Sequence, residues 1–279
     1  LACSTDEDCI AALGYFHAAN RFFFMDFVRN LVRGRLGALV KAGDLVLAQD
    51  YENRRLFATS KGEPLEDKLY ADASPGVRGY LDAYTRGVNA WLGDMRAGKN
   101  GATLTTEYDF ALIVKESIRD WEPADCAAIG LYVLNDLSNN SDDEISLAAN
   151  MPAFDPVLAA DMFSARPVFD AFTDPKFGGA PPPPAPFASW EKLGKLRPLL
   201  GDAHQRLAQV GSGTRSKMPG DTGSNNWVVG PARTEKGAAI LANDPHLPLT
   251  NPSIWFPVEI DAKSNGGKGV YHVAGSTFP

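Results

Sequence analysis

The sequence is short of cysteine, of basic charge and of long apolar runs. Only three cysteines, Cys3, Cys9 and Cys126, occur in 279 residues. Their spacing is not that of metal-binding cysteine pairs, and an odd number leaves at least one of them unpaired. Every apolar stretch is interrupted well short of the ~20 residues that a membrane-spanning helix needs. The sequence therefore predicts neither a zinc site nor a transmembrane segment.

Acidic residues outnumber basic residues by 34 to 27, which gives a net charge of −7 and a pI near 5.2. This balance argues against nucleic acid or an anionic membrane as the main partner. Hydrophobic residues make up 44% of the chain and charged residues 22%, as in ordinary soluble globular proteins. At roughly 150 residues per domain, the length predicts about two structural units.

Residues 1–175 are predicted to be mainly helical. Apolar residues recur at helical spacing from residue 6 to about residue 40, with a break expected near Gly34 or Gly37. A second helix is predicted over residues 74–96 and a third over residues 123–137.

The composition changes after residue 175. Eight prolines fall between Pro175 and Pro219, and this richness predicts a spacer over residues 176–223. Residues 224–279 instead contain short β-type runs separated by turn signals, and these predict antiparallel hairpins. The runs cover residues 226–230, 238–242, 254–260 and 269–274.

The sheet region opens with Gly223-Ser224-Asn225-Asn226-Trp227-Val228-Val229-Gly230 and continues to Asn243-Asp244-Pro245-His246-Leu247. Taken alone, Ser224 is a loop serine at the start of a strand. Together with segments of the helical region, however, the two motifs resemble the penicillin acylase family of N-terminal-nucleophile hydrolases. The histidine at 246 resembles the branch of aculeacin, cephalosporin and acyl-homoserine-lactone acylases. The matching helical segments, in the expected order, are residues 13–26, 33–35, 84–91 and 120–125.

The resemblance implies an α+β, four-layer αββα fold, incomplete in this chain. In that family a precursor loses a spacer, and the serine after the second cut becomes the first residue of the large chain. Ser224 matches this serine, and Gly223 matches the residue before the cut. The new α-amine has an ordinary pKa of about 7.7–8.0, so it can serve as the general base for the serine hydroxyl.

The resemblance also implies roles for four further residues. His246 would orient the nucleophile or the α-amine, although it can also be read as a hydrogen-bonded surface histidine. Leu247, Val133 and Leu137 match positions that line an acyl pocket, and each can also be read as plain core. The implied reaction is hydrolysis of the amide of a β-lactam side chain, a lipopeptide or an acyl-homoserine lactone through an acyl-enzyme.

No cofactor is implied for the chemistry itself. Glu144 matches a calcium ligand of some family members, and the alternative is a solvated acidic residue after Asp142 and Asp143. The resemblance further implies a heterodimer of small chain 1–175 and large chain 224–279, an export route to the periplasm or outside the cell, and autoproteolysis of a zymogen. We expect residues 1–279 to be a fragment that is inactive alone. The rival hypothesis is a catalytically silent scaffold that acts as a binding protein.

Overall fold

The computed structural model describes residues 1–41, 43–137, 195–196, 198–203, 205, 223–247, 250–264 and 266–279. Helices precede two antiparallel hairpins, β1 with β2 and β3 with β4, so the α+β class is confirmed. The helices and strands are α1 Asp6–Val32, α2 Leu36–Leu39, α3 Asp44–Leu56, α4 Leu65–Asp72, α5 Pro75–Ala97, α6 Pro123–Leu137, β1 Gly223–Val229, β2 Ile240–His246, β3 Phe256–Asp261 and β4 His272–Thr277.

The chain divides into two compact units. One comprises Leu1–Leu134 with Ser216–Pro279, and the other comprises Asn135–Arg215. The first unit contains all four of the strands listed above. The boundaries of the small chain, spacer and large chain stay predictions. Among the described residues, no helix has both the length and the apolar content that crossing a bilayer requires.

The predicted break in the first helix lies at Gly34. Helix α1 begins at its Thr5 cap, whose hydroxyl accepts a hydrogen bond from the backbone of Asp8, and ends at Val32. Gly34 adopts a φ of +59°, a conformation that glycine tolerates better than other residues, and the chain restarts as the short helix α2. The predicted break is therefore present, and it divides residues 6–39 into the helices α1 and α2.

Helix α3 is absent from the sequence-based prediction, because its apolar residues do not mark a buried stripe. It docks through polar side chains that satisfy backbone groups freed by the break after α1. The Asp50 carboxylate accepts hydrogen bonds from the amides of Leu36 and Gly37 at 2.6 and 2.8 Å. The Asn53 side-chain amide donates to the Leu31 carbonyl at 2.7 Å. Side-chain capping thus replaces the apolar contact that usually holds a helix.

Helices α1 and α5 cross in close contact and form the centre of the helical core. An added Cβ at Gly87 would lie 1.8 Å from the Ala11 carbonyl oxygen, and one at Gly14 would lie 2.3 Å from that of Tyr84. Glycine is therefore required at both positions. The close approach brings Phe22 of α1 against Trp91 of α5, with ring centroids 5.0 Å apart.

A fully buried arginine lies beside this core. The Arg29 guanidinium donates to the Asp26 carboxylate at 2.8 Å, to the Asp125 carboxylate at 3.2 Å, and to the carbonyls of Arg119 and Asp120 at 2.9 and 3.1 Å. Its charge also lies over the Trp121 and Phe22 rings, 4.9 and 5.7 Å from their centroids. Arg29 thereby joins α1 to the segment that leads into α6.

Asp125 is the common acceptor of this network. It receives hydrogen bonds from Arg29, Arg33 and Arg119, and from the backbone amide of Glu122. Burial alone would raise the pKa of Asp125, but the hydrogen bonds and positive charges of Arg119 and Arg29 outweigh burial and lower it. The carboxylate is therefore held ionised at the start of α6.

Replacing Arg29 with methionine should destabilise the protein by about 3–5 kcal/mol, because Asp26 and Asp125 would stay buried without their shared cation. Urea unfolding measures this loss. Arg55→Met is the matched control, since Arg55 is exposed and contacts Glu52 and the Tyr51 ring at the surface. It should change stability by less than about 1 kcal/mol. Equal effects of the two substitutions would contradict a dominant role for the buried network.

The hairpin of β3 and β4 is fastened to the start of the chain. Ala2 forms a parallel bridge to Asp261, and the Cys3 amide donates to the Asp261 carbonyl at 3.0 Å. The Asp6 carboxylate accepts from the amides of Val270 and Tyr271, both at 3.1 Å. A disulfide between Cys3 and Cys9 ties this segment to α1, while Cys126 is a free thiol.

His17 joins the same hairpin to the helical core. Its Nδ1 lies 2.8 Å from the Tyr84 hydroxyl and its Nε2 lies 2.9 Å from the Thr277 hydroxyl. Because Thr277 donates its only hydroxyl proton to the Phe256 carbonyl, it must accept from Nε2, and Nδ1 then accepts from Tyr84. His17 is therefore a buried histidine with hydrogen-bond partners on both ring nitrogens.

The buried imidazole should make stability depend on pH. Burial, reinforced by the nearby charge of Arg21, lowers the pKa of His17 to about 4 from its ordinary value near 6.5. Between about pH 6.5 and about pH 4, His17 is therefore protonated in the unfolded chain but neutral in the folded chain. The free energy of unfolding should fall by about 3 kcal/mol as the pH drops from about 6.5 to about 4.

His17→Gln keeps polar groups near Tyr84 and Thr277 but does not titrate, so it should flatten this pH dependence. Urea midpoints measured between pH 4 and pH 7 provide the test. His272→Gln is the control, because His272 is half exposed on β4 and contacts Glu259 at the surface, so its replacement should change the slope less than His17→Gln does. An unchanged slope in His17→Gln would assign the pH dependence to other groups.

The predicted helices 74–96 and 123–137 agree with α5 and α6 to within a residue. The strand boundaries agree less well: β1 begins three residues before its predicted start, and the other three strands end one to four residues later than predicted. The largest error concerns the end of β2, because Asn243, Asp244 and Pro245 resemble turn residues. A proline is nevertheless tolerated where a strand lies at the edge of a sheet. β2 is such a strand in a two-stranded sheet.

Candidate active site

The candidate site lies at the open end of the hairpin formed by β1 and β2. At the closed end, the Thr234 hydroxyl donates to the Ala238 carbonyl at 2.7 Å, and Gly237 has a φ of +63°. This turn sets the register of the two strands. At the open end, Ser224 lies opposite Pro245 and Gly223 lies opposite His246. The hairpin thus brings the two predicted catalytic residues within one register step.

Their side chains nevertheless lie on opposite faces of the hairpin. Cross-strand partners in an antiparallel pair share a face, and successive residues alternate. Ser224 therefore shares its face with Pro245, whereas His246 shares the other face with Asn225 and Asp244. The Ser224 backbone nitrogen lies between the two faces, in the strand opposite the end of β2.

His246 was expected to follow the second strand, but it is the last residue of β2. Its Nε2 lies 2.8 Å from the Asp244 carboxylate, and both side chains are about half exposed. Sequence reasoning did not assign a role to Asp244. The signal that could have identified it is its two-residue spacing from His246, which places both side chains on one face of a strand.

The hairpin is apolar on both faces and exposed on both. Val228 shares one face with Leu241, and Trp227 shares the other with Ala242. Trp227 is 51% exposed and Val228 73% exposed. Strands that are apolar on both faces are typical of sheets covered on both sides.

The three predicted pocket residues are separated along the chain and are placed differently. Val133 is half-buried and Leu137 is exposed; both belong to α6 and share a face by their spacing of four residues. Leu247 is half-buried directly after β2. Two open apolar grooves border α1, with volumes of about 410 and 220 Å³, and neither is lined by these three residues. The acyl pocket stays a prediction.

The predicted calcium ligand Glu144 lies outside the described residues. Within the part of the chain that the structure describes, no group of three or more His, Cys, Asp or Glu side chains is arranged to hold a metal ion. A calcium site at Glu144 therefore stays a prediction.

Comparison with known sequences decides the family. A sequence model described as penicillin amidase matches residues 1–279, which is every residue of the chain. The chain belongs to the penicillin amidase family. The resemblance carried by the motifs around Ser224 and His246 is thereby confirmed, and the helical segments before residue 176 belong to the same match.

Curated relatives within the penicillin amidase family are acylases by name. The chain is 31% identical over 270 residues to "Acyl-homoserine lactone acylase QuiP" of Pseudomonas aeruginosa, covering 95% of this chain and 28% of the relative. It is 31% identical over 261 residues to "Penicillin acylase 2 proenzyme" of Pseudomonas sp. strain SE83, covering 90% of this chain and 29% of the relative. The chain thus spans less than a third of these relatives.

A solved structure is also similar to this chain. It is a thermostable penicillin G acylase from Alcaligenes faecalis, with 22% sequence identity and a TM-score of 0.44. The likeness covers 62% of this chain and 87% of that one.

Proposed function

We propose that the full-length protein is an amide hydrolase that uses Ser224 as an N-terminal nucleophile. The observation that carries the proposal is the register of the hairpin, which places Ser224 at the start of β1 with the end of β2 opposite the Gly223–Ser224 bond. Membership of the penicillin amidase family and the names of the acylase relatives support it. The activity belongs to the full-length protein, because the chain spans less than a third of those relatives.

The first step is cleavage of the chain at its own serine. The Ser224 hydroxyl attacks the Gly223 carbonyl carbon, the peptide C–N bond breaks, and Gly223 becomes an ester on the serine oxygen. Breaking the C–N bond frees the α-amine of Ser224, which takes up the hydroxyl proton. Water then hydrolyses the ester, which releases Gly223 as a carboxylate and regenerates the hydroxyl. Glycine at 223 leaves the carbonyl open to attack, because it has no side chain to crowd the approach.

The second reaction uses the products of the first. The free α-amine takes the hydroxyl proton as the serine oxygen attacks the substrate's amide carbon, and the proton then passes to the leaving amine. Water hydrolyses the resulting acyl-enzyme. One hydroxyl therefore serves two reactions, but only the second has the α-amine available as its base.

Acyl-homoserine lactones are the substrates we propose to test first, followed by the acyl side chains of β-lactams and lipopeptides. The relatives named as acyl-homoserine lactone acylases support this order. Leu247, Val133 and Leu137 are the proposed lining of the acyl pocket. Their short aliphatic side chains would select acyl chains through differences of a methylene or two, each worth about 1–3 kcal/mol.

Ser224→Ala should abolish both processing and amide hydrolysis in the full-length protein, the latter by on the order of 10⁴-fold or more. Ser224→Cys should still be processed, because a thiol can perform the acyl shift, but should hydrolyse amides slowly. Intact-mass spectrometry and release of homoserine lactone measure the two effects. Sequencing of the wild-type large chain should begin Ser-Asn-Asn-Trp.

Ser253→Ala is the control, since Ser253 is an exposed hydroxyl outside the hairpin of β1 and β2. It should be processed and active. A Ser224→Ala protein that hydrolyses amides at the wild-type rate would refute the proposal. A wild-type full-length protein that stays uncut and inactive would instead favour the silent binding scaffold.

We propose a periplasmic or secreted location and a processed heterodimer, with the spacer of residues 176–223 removed in whole or in part. The disulfide between Cys3 and Cys9 supports the location, because structural disulfides persist in oxidising compartments and are rare in the cytosol. The contacts of Ala2, Asp6 and His17 with the β3–β4 hairpin would hold the two chains together after cutting.

Thiol counting tests the disulfide. The unreduced, denatured protein should react with one equivalent of iodoacetamide, at Cys126, and the reduced protein with three. In the native state Cys126 should react slowly, because burial raises the pKa of its thiol to about 11 and the thiolate is the reactive form. Mass spectrometry of the alkylated peptides gives the count. Three reactive thiols before reduction would contradict the Cys3–Cys9 pairing.

A further inference from the structure

Asp244 and His246 form a pair whose position along β2 suggests more than a surface contact. They share one face, two residues apart, and the distance from His246 Nε2 to Asp244 Oδ2 is 2.8 Å. In the register, His246 lies opposite Gly223 and Asp244 lies opposite Asn225. The two side chains therefore flank the backbone of Ser224, one on each side along the strand.

The chemistry of the pair fixes where the imidazole carries its proton. An ionised carboxylate can only accept hydrogen bonds, so Nε2 must be the donor. In the neutral imidazole the other nitrogen, Nδ1, is then an acceptor. The partner of one ring nitrogen thus decides what the other nitrogen can do.

We propose that Asp244 is a positioning residue that holds His246 in the tautomer with Nδ1 as acceptor. This inference rests on the proposed function of Ser224. After cleavage, Gly223 no longer lies opposite His246, and the α-amine of Ser224 becomes the neighbouring backbone group. One N–H of this amine donates to Nδ1, which turns the nitrogen lone pair toward the serine hydroxyl. No proton is transferred between the amine and His246, which acts only as a hydrogen-bond acceptor.

The faces of the hairpin support this division of roles. The Ser224 hydroxyl lies on one face and the His246 imidazole on the other, with the Ser224 nitrogen between them. The α-amine must direct its lone pair to the Ser224 hydroxyl on one face. An acceptor on the opposite face, His246 Nδ1, is therefore best placed to orient it. The hydrogen bond from His246 Nε2 to Asp244 prevents the imidazole ring from rotating and from changing its tautomer.

The test compares Asp244→Ala with Asp244→Asn in the processed full-length enzyme. Alanine removes the acceptor and should lower kcat/KM about tenfold. Asparagine keeps an acceptor oxygen for Nε2–H and should restore activity to within about threefold of wild type. Glu235→Ala is the matched control, because it removes an exposed acidic residue from the turn of the same hairpin and should leave kcat/KM unchanged. Processing and thermal stability are measured for every variant.

A double-mutant cycle separates positioning from a general structural effect. If Asp244 acts through His246, Asp244→Ala should lower kcat/KM less than about twofold further in a His246→Ala background. A full tenfold loss in that background, or equal losses for alanine and asparagine, would overturn the proposal. So would an Asp244→Ala enzyme with wild-type kcat/KM.

The activity of the Ser224→Ala protein distinguishes failure of the proposed nucleophile from failure of the proposed positioning role of Asp244. An active Ser224→Ala protein would remove the proposed function, and with it the reason for the Asp244 test. An inactive Ser224→Ala protein together with a fully active Asp244→Ala protein would leave the nucleophile in place and reject only the positioning role.

Discussion

A buried positive charge organises the helical part of this protein. Arg29 is fully buried, and a charge in that position is tolerated only when carboxylates and carbonyls pair with it in good geometry. Those partners come from α1 itself, from residues 119–120 and from Asp125 at the start of α6. The requirement to pair one guanidinium therefore fixes the path of a segment nearly a hundred residues away in sequence. The Tyr108 hydroxyl, which donates to the second oxygen of Asp26 at 2.9 Å, joins a further segment to the same network.

Helix α1 also connects the charge network to the β3–β4 hairpin through contacts along its length. Near its start, the Cys3–Cys9 disulfide links the helix to the N-terminal segment. Its Asp6 carboxylate accepts hydrogen bonds from backbone amides of the hairpin. Farther along the helix, His17 accepts from Tyr84 and donates to Thr277. Beyond His17, Phe24 meets Phe278 with ring centroids 5.8 Å apart. One helix thus carries both the charge network and the contacts that anchor the β3–β4 hairpin.

The hairpin with Ser224 has a different character. Its side chains are largely exposed, its apolar residues point to both faces, and its order comes from strand pairing and a tight turn. Such a segment is suited to a site, because its backbone is fixed by register while the side chains at its open end stay accessible. The alternation of faces places the Ser224 hydroxyl on one side of the hairpin and the His246 imidazole with Asp244 on the other, with the Ser224 nitrogen between them.

The sequence by itself determined the helices with a clear apolar stripe, α5 and α6, the antiparallel sense of the hairpins, and the motifs that identify the family. These depend on local periodicity and on residue types at fixed spacing. It did not determine α3, which docks through Asp50 and Asn53, because polar capping leaves no periodic pattern. It also left open which cysteines pair, what Arg29 contacts, and on which face His246 lies. Those were decided by tertiary structure, since each depends on the distance between residues far apart in the chain or on a register in which a shift of one residue reverses the face.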